Sequence, residues 1–574
     1  MDRITESFLR EFSQERQIGH EPQSEQFEAF AAYCVLSSEH DGEFDPVELR
    51  TGGGNDLAVD AAALVANGDI VTGSEEIDDL RIRNNYLQAR ILIVQAKTSG
   101  SFDAARITDL ADNLCDFFSD SPTLPMSNEL KDFKSLVDKL YENSTAFRKG
   151  SPDLVLRYVT TGTWTGDAHL SSKVAAATKR LEELNLFGSV SFECLGAKEL
   201  QALYRSAKNT VESEFQFPNQ VLIPEIEGVE QSYIGTVAAS EYMRLICDSN
   251  GNIRKSLFYE NVRDFQDYND VNRGIRSTLQ EERTRGRFVV LNNGITIVAR
   301  EMGVVGNKFT LRDYQIVNGC QTSHVLFDEK DNLEGVHVPL RLIVTQDEDV
   351  ASSVTAATNK QTLVSDEDLK ALEVLQKELE AFFEAHPAEK RLYYERRSKQ
   401  YSAVAGLEKT RIVTRPQLVR SYAAMMLNEP WRAGRYYAEL LRIRGSEIFK
   451  AGDLPDPYYV AAVASYRLEY FFRNGYVDGR YKPARYQILM AIRHYIEPGE
   501  VPTRRRELER YCARISDRLW DLQEGPALIQ AILPAIDSAV AATESDGILD
   551  RDTVRTQAFT DLVIKGIATL LQAK

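Results

Sequence analysis

Two strand-like segments carry polar side chains where an apolar run would otherwise be continuous, and together they constrain the fold more than any other feature of the chain. LAVDAAALVANG (residues 57–68) is apolar up to its Asn67-Gly68 turn except for Asp60. ARILIVQAK (89–97) is the strongest strand signal of the first half and ends on Gln95-Ala96-Lys97. A carboxylate inside a buried strand is costly unless it is paired or bound to a cation. Residues i and i+2 of a strand project on one face, so Gln95 and Lys97 point the same way. If the two segments are neighbours in one sheet, Asp60, Gln95 and Lys97 meet.

That trio has the chemistry of phosphodiester hydrolysis. The phosphate is anionic and repels hydroxide, so its hydrolysis calls for a divalent cation that binds oxygen and acidifies water. Mg²⁺ (or Mn²⁺) prefers oxygen ligands and keeps several waters. Asp60 supplies a carboxylate, Gln95 an amide oxygen and Ala96 a main-chain carbonyl, while Lys97 would orient the attacking water or stabilise charge on phosphorus. Glu28, on a preceding helix, would add a second carboxylate, with Glu25 one turn away as the substitute. Read one by one, the same residues are a turn cap and a lysine that reaches solvent from a strand end.

Around this pair of segments the chain alternates helix and strand. Residues 22–37 place Phe27, Phe30, Ala31, Cys34 and Val35 on one helical face. A short strand is expected before Gly52-Gly53-Gly54, and the acidic stretch 73–80 is expected to be an exposed insertion. ITDLADNLCDFF reads as a helix, PDLVLRYVTTG as a strand and SSKVAAATKRLEELNLFG as a helix closed by Gly188. A second α/β block has strands in FVVLNNGITIVA, YQIVNGCQT and VPLRLIVT, and the remainder is largely helical. The expected fold class is therefore α/β multidomain, divided at 1–207, 208–370 and 371–574.

Charge and cysteine usage narrow the classes further. No apolar run reaches the roughly 20 residues of a bilayer-spanning helix. The charged N-terminus is unlike a secretory signal, so a cytoplasmic address is expected. Six cysteines without a CxxC pair read as free buried thiols rather than a zinc ribbon or a disulfide framework. A net charge of −18 confines any nucleic-acid contact to local basic patches. RLYYERRSKQY interleaves Tyr393, Tyr394 and Tyr401 with Arg396, Arg397 and Lys399, a pattern suited to bases and phosphates. TRRRELERYCAR (503–514) is the second patch. Either also fits a helix face whose arginines pair with the abundant acids.

The middle block breaks its strands at amides. Asn292 and Asn293 precede one strand, and Asn318-Gly319 ends another just before Gln321, with a helix expected near Thr322. Free N–H groups at a helix start attract anions, so these residues, with Arg276 and Asn359, would converge on a phosphate, a nucleotide or a strand backbone. The plainer reading is a set of Asn-Gly turns whose amides satisfy each other. His324 reads as a packing or capping residue. The chain has no P-loop string, no GxSxG elbow and no HExxH helix.

Two resemblances follow from these strings. GGGNDLAVDAAAL followed by IVQAKTS resembles the PD-(D/E)xK nuclease core in its Mrr-like variant, where Gln replaces the acidic residue. The resemblance implies an αβββαβ core in which Glu28 after Phe27, Asp60 and the Gln95/Lys97 pair bind metal and cleave DNA, with Asp56 as a turn residue or secondary ligand. NNGIT, IVNG-x-QT and YYERRSKQY resemble the abortive-infection phage-resistance (AIPR) family over about 230–430. That family is associated with bacterial defence against phage. The combined expectation is a Mg²⁺-dependent DNA endonuclease of a defence system, with a dimerising helical C-terminal region. The alternatives are an RNase, or a non-catalytic nucleic-acid or nucleotide sensor.

Overall fold

The computed structural model describes the chain except residues 41, 43, 53, 148–149, 209–210, 248–250, 252, 259–269, 359–365, 397–399, 402–403, 405, 436–439, 441–442, 444–446, 451, 544–548, 550 and 573–574. Its N-terminal part is a sheet between two helical layers. The helices are α1 (Arg3–Glu15), α2 (Gln23–Leu36), α3 (Ser74–Asn84), α4 (Ala104–Phe117), α5 (Asn128–Glu142), α6 (Ala168–Glu182) and α7 (Ala197–Lys208). The strands are β1 (Ala61–Ala66), β2 (Asp69–Val71), β3 (Ala89–Lys97), β4 (Asp153–Thr160) and β5 (Val190–Leu195), in the order β2-β1-β3-β4-β5. β1 is antiparallel to β2 and β3, whereas β3, β4 and β5 run parallel.

Both faces of this sheet are covered, which is why β1 and β3 are apolar throughout rather than alternating. Ala62, Leu64, Ile91 and Ile93 pack with Ile107, Leu110 and Leu114 of α4. Ala61, Ala63, Leu92, Val94 and Ala96 pack with Phe27, Ala31 and Val35 of α2. The expected strand before Gly52 is instead a 3₁₀ turn (Pro46–Leu49) followed by one bridge between Arg50 and Ala61. The acidic stretch is not an exposed insertion. It forms the start of α3, and Glu75 and Glu76 pair with Arg555 (3.3 Å) and Arg420 (2.6 Å) from the far end of the chain.

The central sheet has six strands: β6 (Glu212–Gln216), β7 (Asn219–Leu222), β8 (Gln231–Ala238), β9 (Ile295–Val305), β10 (Lys308–Asn318) and β11 (His337–Val344). Their order is β6-β10-β9-β11-β8-β7, antiparallel except for β9 against β11. FVVLNNGITIVA is not one strand. Phe288–Leu291 is a helical turn, and extension begins at Ile295, after Gly294 at φ +82°. The helix after Asn318-Gly319 starts at Cys320, slightly earlier than expected.

From Asp366 the described residues are largely helical, with a two-stranded parallel pair, Tyr393–Glu395 with Ile412–Thr414. Helices Asp456–Arg473, Arg485–Ile496, Arg505–Trp520 and Glu524–Ala541 enclose a large apolar core that includes Val460, Ile488, Ile515 and Ile532. Among the described residues no helix is long and apolar enough to cross a membrane. The six cysteines are free thiols, four of them buried.

Candidate active site

The β1–β3 register pairs Ala61 with Val94, and Asp60 extends the ladder by donating its N–H to the Val94 carbonyl at 2.9 Å. Asp60 thus stands with Ala61 against Val94 at the end of the ladder, beside the Gln95–Lys97 end of β3. Asp60 Oδ2 accepts the Ala96 N–H at 2.7 Å, and Lys97 Nζ donates to both carboxylate oxygens at 3.0 Å. Asp60 is 2% exposed and Gln95 0%. Neither the Oε1 nor the Nε2 of Gln95 has a hydrogen-bond partner among the described residues. A fully buried amide left unsatisfied costs about 1–3 kcal/mol, so it marks a place where a further polar group belongs.

Glu28 comes to this site from α2. Burial first, and then the Asp60 charge, push its carboxyl up to about 7, against the opposing pull of Lys97 and Arg50. Burial also raises the Asp60 carboxyl, outweighing Lys97 and the Ala96 N–H. Glu25 points elsewhere, 3.6 Å from Arg50. Because Glu28 titrates higher in the folded chain than its ordinary 4.5, its contribution is fully favourable below about 4.5 and is lost as pH rises through about 7. Glu28→Gln is therefore expected to raise stability at pH 8 by about 1–2 kcal/mol after discounting for its partial exposure, and to change little at pH 4.5. Thermal unfolding of both proteins across that pH range measures the difference.

The loop entering β1 holds Asp60 through contacts that have no local signature in the sequence. Gly54, Asn55, Leu57 and Ala58 all take left-handed backbone conformations, which are costly for Leu and Ala and persist only where the surroundings enforce them. Asp56 closes a turn on the Ala58 N–H at 2.9 Å and so acts as a turn residue here. The Thr51 hydroxyl donates to the Val59 carbonyl, Asn113 of α4 donates to Leu57 O at 3.0 Å, and Ser127 N–H donates to Asn55 O at 2.9 Å. Thr51, Asn113 and Ser127 were not singled out from sequence. Only the fold brings them to the loop.

Among the described residues no group of three His, Cys, Asp or Glu side chains lies close enough together to hold a metal ion. The donors available around Asp60 are instead two carboxylates and the unsatisfied Gln95 amide, in keeping with a site where Gln stands in for a third acid. Oxygen donors of this kind suit Mg²⁺ or Mn²⁺ and are poor partners for softer metals. Ala96 meets Asp60 through its N–H.

The amide block is drawn together less completely. Asn318 pairs with Thr296 across a bulge between β10 and β9, so the NNGIT and IVNG strings are neighbours. Gly319 has φ +103°, and a Cβ there would stand 2.7 Å from Ile295 Cγ1. Asn318 Nδ2 donates to Thr358 O at 2.7 Å, Gln321 Oε1 accepts from Asn272 at 2.7 Å, and Asn292 donates to Phe288 O at 3.0 Å. Asn293 is exposed. Arg276 turns to Glu329 at 2.5 Å, and the His324 ring packs on Phe258. These partners fit turns and packing, whereas a shared ligand would need the amides to converge. Asn359 lies outside the described residues.

The basic patches are largely neutralised where they are described. Tyr394 is 0% exposed and Tyr401 is buried, while Arg396 pairs with Glu380 at 3.0 Å. These two tyrosines therefore face the core, where they cannot stack on bases, while Tyr393 is half-buried against Tyr401. Arg397 and Lys399 lie outside the described residues. In the second patch Arg504 pairs with Glu507, Arg505 with Glu509 and Arg514 with Glu497.

No curated protein and no solved structure matches the chain. A family model described as AIPR protein matches residues 258–545. The match begins after β8 and runs through most of the helical region, well past the 208–370 block, and it leaves out the Asp60 site. It covers half of the chain and contains NNGIT, IVNGCQT and YYERRSKQY together, and on that ground the chain belongs to the AIPR family.

Proposed function

We propose that the chain is a metal-dependent endonuclease acting on DNA, with the N-terminal α/β unit as its cutting part. Membership of the AIPR family points to a part in abortive-infection defence against phage. One observation carries the nuclease reading: a buried Asp60 held by Lys97 at 3.0 Å, with the buried, unsatisfied Gln95 two residues before that lysine on β3. The element order α2, β1, β2, β3, α4, β4, interrupted by α3 between β2 and β3 and by α5 between α4 and β4, supports it, because the PD-(D/E)xK resemblance implies an αβββαβ succession.

In this reading Asp60, Glu28 and the Gln95 amide hold a Mg²⁺ or Mn²⁺ ion, which when bound lowers the pKa of water and neutralises phosphate charge. Asp60 also keeps Lys97 in place. The ammonium then donates a hydrogen bond to the attacking water or to a phosphoryl oxygen as negative charge grows there. Gln95 adds no charge, so the site relies on Glu28 giving up its proton, which the adjacent cation favours. Cutting both strands of a duplex calls for two such sites, which a homodimer would supply.

The test uses the full chain with plasmid DNA and a structured RNA side by side, in Mg²⁺, Mn²⁺ or EDTA. Divalent-dependent loss of supercoiled plasmid is the expected result. Degradation of RNA alone would make the chain an RNase, and intact substrates in every lane would reject the reading. Binding should also register as stabilisation. At a Mg²⁺ concentration ten times its dissociation constant, thermal unfolding should shift by the equivalent of about 1.4 kcal/mol, and Asp60→Ala should remove that shift.

A further inference from the structure

The two elements that deliver the carboxylates are both anchored on the helical region. α2, which carries Glu28, follows a turn in which Gln17 donates to Glu408 at 2.8 Å and the His20 ring nitrogen lies 3.1 Å from the Arg473 carbonyl. Residues 44–52 form a strap with one end on that region and the other beside Asp60. Asp45 faces Arg473 Nη1 at 3.6 Å, and Glu48 Oε1 binds Arg485 Nη1 at 2.6 Å. Arg485 is itself oriented by Glu469 at 3.5 Å. At the near end Arg50 grips both oxygens of Glu21 at 2.7 and 3.2 Å, just before α2 begins. Arg50 also bridges to Ala61, and the Thr51 N–H donates to the Asp60 carbonyl at 3.1 Å. A continuous set of ion pairs and main-chain bonds thus runs from Arg485 to the backbone of Asp60.

We propose that Arg485, assisted by Arg473, is a positioning residue for the candidate active site: from the helical region it holds the strap 44–52 against β1 and α2, and so sets where Asp60 and Glu28 stand relative to each other. The consequence for metal binding rests on the nuclease reading above, whereas the mechanical link does not. Both arginines lie inside the matched family segment, so a shift of the helical region reaches the site through the Glu48–Arg485 and Asp45–Arg473 ion pairs. An element bonded at both ends transmits displacement, because its own hydrogen bonds leave it few alternative conformations.

The experiment takes the full chain as Arg485→Ala, Arg485→Lys and Glu48→Gln and reads two quantities. Hydrogen exchange reports the Thr51 amide, with α4 amides as an internal control, and calorimetry with Mn²⁺ alone reports affinity. Expected are exchange at Thr51 faster by about tenfold and Mn²⁺ affinity lower by about fivefold in Arg485→Ala and Glu48→Gln. α4 should be unchanged, and Arg485→Lys should fall between. Because Glu48→Gln breaks the same link from the strap side, it stands in if Arg485→Ala fails to fold. Unchanged Thr51 exchange, or faster exchange with unaltered Mn²⁺ affinity, overturns the proposal. If the wild-type chain binds no Mn²⁺, the nuclease reading falls, and exchange at Thr51 alone decides whether the helical region holds this strap.

Discussion

Asp60→Asn is expected to leave the chain folded and slightly more stable at neutral pH, while reducing divalent-dependent cleavage by on the order of 10³-fold. The Asp60 carboxyl is held above its ordinary value of 3.8, chiefly by burial. Such a group stabilises the fold below its unfolded pKa, and that contribution is lost as pH rises through the folded one. Where the carboxylate is ionised it is therefore a liability that a neutral amide removes, and the Asn oxygen can still accept the Ala96 N–H. Lys97→Ala should move stability the other way, by about 2–3 kcal/mol, because it leaves a 2% exposed carboxylate without its cation. Cleavage should be lost as well. A purely structural ion pair would be destabilised by both substitutions, and cleavage per folded molecule would survive both. Rates at saturating Mg²⁺, measured beside thermal unfolding at pH 7.5, separate the two cases.

Gly319→Ala is expected to destabilise the chain by about 2–4 kcal/mol. Two costs add here. The backbone sits at φ +103°, beyond the left-handed region that alanine tolerates, and the new methyl would meet Ile295 Cγ1 at 2.7 Å and Ile295 Cα at 3.3 Å. Ile295 opens β9 and is itself buried, so neither side can yield cheaply. Gly306→Ala serves as the control. Its φ of +64° is also left-handed but its Cβ would enter open space, so only about 1 kcal/mol is expected. Unfolding midpoints of the two variants isolate the contact term. Equal effects would show that backbone conformation alone accounts for the glycine in IVNG.

The difference between these sites shows how far local sequence carries. ARILIVQAK reads as a strand and is one, Ala89–Lys97, because its run of four large aliphatic residues, three of them β-branched, leaves few other ways to bury them. FVVLNNGITIVA has the same apolar character yet splits, since Asn292-Asn293-Gly294 permits a turn that the flanking valines do not reveal. RLYYERRSKQY alternates aromatic and basic residues, a pattern shared by a nucleic-acid surface and by a core strand with paired arginines. Burial of Tyr394 and the Glu380–Arg396 pair select the second for the residues described.

The sequence by itself determined that β1 and β3 are buried strands and that Gln95 and Lys97 share one face of β3, because successive side chains of a strand alternate. What only the tertiary structure decided is what surrounds Asp60, Gln95 and Lys97: the left-handed loop braced by Asn113 and Ser127, the approach of Glu28, and the strap that ties Asp60 to Arg485. Those partners are separated by tens to hundreds of residues. Hydrogen bonds and ion pairs between such positions leave no periodicity in the sequence, so only the folded backbone brings them into reach.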